Sequence, residues 1–387
     1  MTSDYSVINT YFCEMMRYTP KQVILLFVWI FILTSCTHEN PGFPSSPPAS
    51  GEGFPENVIF FVGDGMGLGH ITAAMTVNGG YLNCTDLPVA GLVTTHAADS
   101  AVTGSAASGT AMSTGHKVNY STLGVDKEGN PLKNLFEYFH SCGIVTGIVT
   151  TSELVDATPA AFYAHVPDRN LKEMIAIQMA YSSVEVLIGG GCHWLTERSD
   201  GLNLIDTMVL RGYDFYSDLD QVPSGQEGPL LVVLESYDLP GVTEGRGNML
   251  QTAMNTAISR LHRTGKPFFL LVENNHIDHY AHANESDPML AEILDLDQAI
   301  GQALSFSSVH KETLIVVGAD HETGGFSIIG GNIGEGSVVG DFQGDNHTAT
   351  MVPFFACGPG ETLFSGVYDN TAVFDKFTRL MQCTAHP

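Results

Sequence analysis

Six short apolar runs, spaced along the chain with helical patterns between them, constrain the fold more than any other feature. They lie at 58–63 (VIFFVG), 144–151, 184–189, 230–234, 268–273 and 313–318. Each is rich in β-branched or aromatic residues and bounded by glycine or polar clusters, as buried strands are. Helical patterns at 105–114, 132–139, 171–181, 248–262 and 288–304 fall between them. Strands that alternate with helices are joined by crossovers, so the sheet is mostly parallel and covered on both faces. The expected fold is α/β, a three-layer sandwich around a largely parallel central sheet. No internal repeat breaks the pattern.

Three of the runs deliver an acid at the carboxyl end: Asp64, Glu273 and Asp320. Ligands of open α/β sheets gather at that edge. One such acid is most simply a turn or cap residue. Three together repel one another unless cations lie between them. Histidines accompany them. Asp278 and His282 are four apart, on one face of a helical turn, and alone such a pair is an ordinary helix-surface feature. His321 follows Asp320, and His347 sits in the polar loop GDNHTAT, where a lone histidine would simply be solvated. Mixed Asp and His donors suit zinc, and oxygen donors such as Asp64, Thr158 and Glu273 suit magnesium.

Ser105 opens a run of small residues, VTGSAASGTA, at an expected helix start. Backbone N–H groups and the helix dipole favour a phosphate there. Close helix packing is the plainer explanation of such a run taken by itself.

The motifs FVGDGMG, VTGSAASGTA, DATPAAFYAHVPDR, VENNHIDHYAH, GADHETGG and a late His-Thr occur in one order along the chain. In that order they resemble the alkaline phosphatase family over roughly 56–360. The resemblance implies a phosphomonoesterase with two zinc ions and one magnesium ion. Asp278, His282 and His347 would hold the first zinc. Asp64, Asp320 and His321 would hold the second, next to the nucleophile Ser105. Asp64, Thr158 and Glu273 would hold magnesium. Arg169 would clamp two phosphate oxygens, and Asp156 and His279 would stand behind the ligands. The family has Asp before the nucleophile, where this chain has Gly104; that Asp helps to hold the arginine, so Arg169 is expected to be held more loosely. Ser100, which follows Asp99, is a weaker candidate nucleophile, because the residues after it do not fit the family pattern. The interval from His321 to His347 is short. The accessory crown through which some relatives dimerise is therefore expected to be small, and a homodimer stays open.

The amino terminus reads as an address. The run VILLFVWIFIL follows Arg17 and Lys21 and ends at Leu33-Thr34-Ser35-Cys36. It is shorter than the roughly 20 residues needed to span a bilayer and has the form of a signal peptide. Its end resembles a bacterial lipobox, with Cys36 lipidated after cleavage; an ordinary secretory signal is the alternative. Residues 1–14 read as an upstream extension if the start is Met15 or Met16. Residues 36–55, rich in Pro, Ser and Gly, read as a tether, and 56–387 as one catalytic domain. The protein is thus expected to be exported and anchored in a membrane, periplasmic or at the cell surface.

A net charge of −26, with no basic run, excludes nucleic acid as a partner. Small phosphomonoesters are the expected substrates. A phosphodiesterase of the same superfamily, or a lipoprotein that only binds phosphate or metal, are the competing readings. No C-x-P-x-R or S-x-P-x-R motif supports a sulfatase. Setting Cys13 and Cys36 aside leaves Cys84, Cys142, Cys192, Cys357 and Cys383, an odd number from which no disulfide pairing can be read.

Overall fold

A computed structural model describes residues 53–383; the expected leader and nearly all of the expected tether lie outside the described residues. In chain order the strands are β1 (Asn57–Gly63), β2 (Val89–Thr94), β3 (Val145–Glu153), β4 (Val186–Gly190), β5 (Asp214–Tyr216), β6 (Leu230–Val233) and β7 (Phe268–Asn274). They continue as β8 (Thr313–Gly318), β9 (Glu322–Thr323), β10 (Ser327–Asn332), β11 (Ser337–Asp341), β12 (His347–Thr348), β13 (Val352–Cys357) and β14 (Gly366–Asp369). Ten of them form one sheet in the order β14-β2-β13-β8-β1-β7-β3-β4-β6-β5. Only β13 runs against its neighbours. The sheet is therefore largely parallel, as expected.

Side-chain alternation shows why both faces need helices. Phe268 and Phe269 are consecutive in β7 and point to opposite faces. Phe268 meets Phe306 of the helix Ser286–Val309, at 6.4 Å between ring centroids. Phe269 meets Phe377 of the helix Ala372–Leu380, at 4.9 Å, and Phe139 of the helix Leu135–Ser141, at 5.2 Å. Every residue of β1, β3, β7 and β8 is buried. Two apolar faces cannot be left to water, so the chain forms three layers.

β1 lies between β7 and β8, with Val62 opposite both Glu273 and Gly318. This register brings the ends of three adjacent strands level, and with them Asp64, Glu273 and Asp320. Between His321 and His347 the chain makes only the β10–β11 hairpin and the short β9–β12 pairing, so the crown is small.

Candidate active site

Short links carry the chemistry-bearing groups to the carboxyl edge. Asp64 follows β1 directly, and its N–H donates to the Asn274 carbonyl at the end of β7 (3.1 Å). Gly65 comes next with φ +71°, and a Cβ there would lie 2.8 Å from Asp278 Oδ1. Only glycine lets the two carboxylate-bearing segments come this close. The Gly65 N–H donates to Asp320 Oδ1 (3.2 Å).

Ser105 is the first residue of the buried helix Ser105–Thr114. The small residues of this helix let it approach its neighbours. A Cβ on Gly109 would lie 2.9 Å from the Ala161 Cβ, so the helix lies hard against the turn that carries Thr158. Ser108 Oγ donates to the Asp320 carbonyl (2.6 Å), which ties the helix to the end of β8.

Two clusters of donors result. In one, His321 Nε2 lies 3.3 Å from Asp64 Oδ1, 3.2 Å from Asp320 Oδ2 and 3.4 Å from Ser105 Oγ. In the other, Asp278 lies 3.3 Å from His282 Nε2 and 3.6 Å from His347 Nε2, and those two nitrogens are 3.0 Å apart. His282 Nδ1–H donates to the Asp345 carbonyl (2.5 Å) and His347 Nδ1–H to the Thr103 carbonyl (2.8 Å). With Nδ1 used as a donor, each Nε2 presents a lone pair, and the two lone pairs face each other. A proton or a cation must sit between them. Carbonyl acceptors behind imidazoles are also how proteins orient metal-binding histidines. Thr158 Oγ1 donates to Asp64 Oδ2 (3.3 Å), and Thr150 and Ser152 hydroxyls bond Glu273 Oε2.

The electrostatics agree. Burial first, then Asp320 and Asp278, pushes the Asp64 carboxyl well above its usual range. Burial raises Glu273 to about 8 and, with Asp278, Asp320 to about 7. Burial lowers His321, and the nearby His347 adds to this. Asp278 resists burial through His282 and the two other imidazoles, which hold its carboxyl low. Asp64 Oδ1, Glu273 Oε1 and Asp320 Oδ2 are buried without a hydrogen-bond partner. Orphaned carboxylate oxygens beside crowded imidazole nitrogens fit divalent cations, with oxygen-rich donors at Glu273 and mixed donors at the histidines.

A sequence model of the family described as alkaline phosphatase matches residues 55–341. The chain belongs to the alkaline phosphatase family. It is 34% identical to alkaline phosphatase 4 of Bacillus subtilis over 70% of this chain, and spans 62% of that relative's length. Identity to alkaline phosphatase of Escherichia coli K12 is 30%, covering 82% of this chain and 84% of the relative. The structure of alkaline phosphatase from the Antarctic bacterium TAB5 superposes with a TM-score of 0.81 at 33% identity, covering 86% of this chain and 99% of that one.

Within this alkaline phosphatase fold the candidate residues Asp64, Ser105, Thr158, Glu273, Asp278, His282, Asp320, His321 and His347 all lie at the carboxyl edge. His279 lies on the same helical turn as Asp278, but not behind the ligands. It is exposed, with its ring 5.4 Å from that of His276, because one helical step turns it away from the face shared by Asp278 and His282. Arg169, expected to be held loosely because Gly104 offers it no carboxylate, has a carboxylate partner elsewhere. Arg169 donates to Asp156 Oδ1 at 2.9 Å. Asp156 is held in turn by the Asn275 amide (3.3 Å) and faces Lys172 at 3.9 Å. Lys172, also bonded to Glu153, was not singled out from the sequence; its place three residues after Arg169 is the only signal that could have found it. His262, His310 and Glu312 form another cluster, at the amino end of β8, but their rings are accounted for by packing on Phe306.

Proposed function

We propose that this chain hydrolyses phosphate monoesters through a phosphoserine at Ser105. The observation that carries the reading is the convergence of Ser105 Oγ, His321, Asp64 and Asp320 at one buried point of the sheet edge. Asp278, His282 and His347 would hold one zinc; Asp64, Asp320 and His321 another; and Asp64, Thr158 and Glu273 magnesium. Variants of the TAB5 enzyme hold magnesium in a site termed M3, which supports magnesium at the third position. Bound there, the ions supply Lewis-acid stabilisation of developing oxyanions and lower the pKa of oxygens they hold.

The chain supplies the rest. The amino end of the helix Ser105–Thr114 aims backbone N–H groups at the phosphoryl group. Arg169, set by Asp156, grips two of its oxygens. Ser105 Oγ bonds to phosphorus, the ester P–O bond breaks, and the alcohol leaves with a proton. Water then breaks the Ser105 O–P bond, releasing inorganic phosphate and restoring the hydroxyl. With a loose transition state, positioning and charge neutralisation do most of the work.

The test is phosphate release from an aryl phosphomonoester at alkaline pH, before and after chelation. Turnover that chelation abolishes, and that zinc with magnesium restores, is expected. A metal-loaded protein that cleaves diesters but not monoesters would contradict the reading. From the leader pattern we further infer export and lipid anchoring through Cys36 at the periplasmic or outer cell surface. A labelled fatty acid should enter the wild type and not Cys36→Ser; equal labelling, or none in either, contradicts the anchor.

A further inference from the structure

Gly104, immediately before Ser105, is extended, with φ −130° and ψ 171°. Any residue adopts that backbone, so conformation does not explain the glycine. Space does. A Cβ at 104 would lie 3.0 Å from Tyr120 Cζ, 3.1 Å from its hydroxyl oxygen and 3.3 Å from its Cε1. The phenol end of Tyr120 therefore covers the residue next to the nucleophile, where a longer side chain would otherwise project.

The turn that carries this ring is fixed from two sides. The Tyr120 N–H donates to Asp99 Oδ1 at 3.0 Å. The next residue, Ser121, offers its carbonyl to the N–H of Arg169 at 2.9 Å. The ring is thus one residue from a backbone bond to the candidate phosphate clamp. Tyr120 is 42% exposed, so part of the ring borders solvent at this edge. Burial raises the pKa of its hydroxyl, with Arg169 opposing and Asp278 adding to that shift, so the phenol is neutral.

We propose that Tyr120 is a substrate-contacting residue of this site, its hydroxyl donating a hydrogen bond to a phosphoryl oxygen beside Ser105. This rests on the phosphomonoesterase reading above. A neutral phenol attracts an anion where a carboxylate at 104 would repel it. Arg169 already has its own carboxylate in Asp156, so the position before the nucleophile is free to serve the substrate. The ligand class is the phosphoryl dianion itself, as a monoester or as inorganic phosphate.

The test compares wild type with Tyr120→Phe, which keeps the ring and loses only the hydroxyl. Inorganic phosphate binding to the metal-loaded protein is measured by calorimetry, and KM and kcat with an aryl phosphomonoester. Loss of one hydrogen bond to a charged oxygen weakens phosphate binding and raises KM by roughly tenfold or more. Reduced phosphate affinity in Tyr120→Phe supports the proposal. Affinity and KM within twofold of wild type overturn it, while wild-type turnover would leave the phosphomonoesterase reading standing. If wild type binds phosphate but does not turn over, that reading fails and the calorimetric comparison still decides the role of Tyr120. A second variant checks the geometry. Gly104→Asp should lower phosphate affinity in wild type, and lower it less when Tyr120 is Ala, because the two side chains compete for one space. Equal effects in both backgrounds also overturn the proposal.

Discussion

Asp156 carries Arg169, Lys172 and the Asn275 amide on one carboxylate. Those two cations hold its pKa down against the effect of burial. Asp156→Asn keeps the shape and removes the charge that sets Arg169. KM for a phosphomonoester should rise about tenfold with a smaller change in kcat, and steady-state kinetics will show whether it does. Glu273 and Asp320 make a pH prediction. Burial pushes their carboxyls up to about 8 and about 7 in the folded chain without metal, against roughly 4 in the unfolded chain. The folded protein binds these protons more tightly, which adds stability that is complete below pH ~4 and lost as pH rises through the folded values. The melting temperature of chelated protein should therefore fall between about pH 6 and pH 8.5, and metal-loaded protein should not follow it. A flat profile after chelation would contradict the packing of these carboxyls. At this scale most of the site was legible, because strand-end acids and nearby histidines announce themselves together. Tyr120 and Lys172 were not, since nothing in a one-dimensional pattern says that they fold back beside Ser105 and Asp156.

The helix Ser105–Thr114 matches its sequence pattern end for end. The small residues that left its role open act in two ways, admitting the Thr158 turn at Gly109 and the end of β8 at Ser108. Gly109→Val would push against Ala161 and shift Ser105 relative to the donors at the sheet edge. It should lose about 1–3 kcal/mol of stability, read by denaturant titration, and most of the activity. Unchanged activity would mean that the helix is not what positions the serine. Among the strands, the six apolar runs became the six adjacent central members β8, β1, β7, β3, β4 and β6. Those that escaped lie beyond them. β2 is only half buried, β13 contains Pro353, and β5 and β14 are three and four residues long. Strands toward an edge need no continuous apolar run, so periodicity is silent there.

The molecule as a whole separates chemistry from fastening. The donors sit at the carboxyl edge of the sheet. Cys142 and Cys383 form a disulfide near the amino end of β3, joining the ends of the helices Leu135–Ser141 and Ala372–Leu380. The pairing was hidden in the sequence because the partners are 241 residues apart and five cysteines remained to choose from. Cys142→Ser should cost about 2–4 kcal/mol of unfolding free energy and leave kcat near wild type, since no catalytic group touches it. A phosphoserine at Ser105 is the proposed intermediate of turnover. Metal-loaded protein would be mixed with a labelled phosphomonoester, quenched in acid and digested, and the phosphopeptide sequenced by mass spectrometry. Phosphate on Ser105, and none in Ser105→Ala, is expected. Turnover without a label on Ser105, or with the label on Ser100, would contradict it.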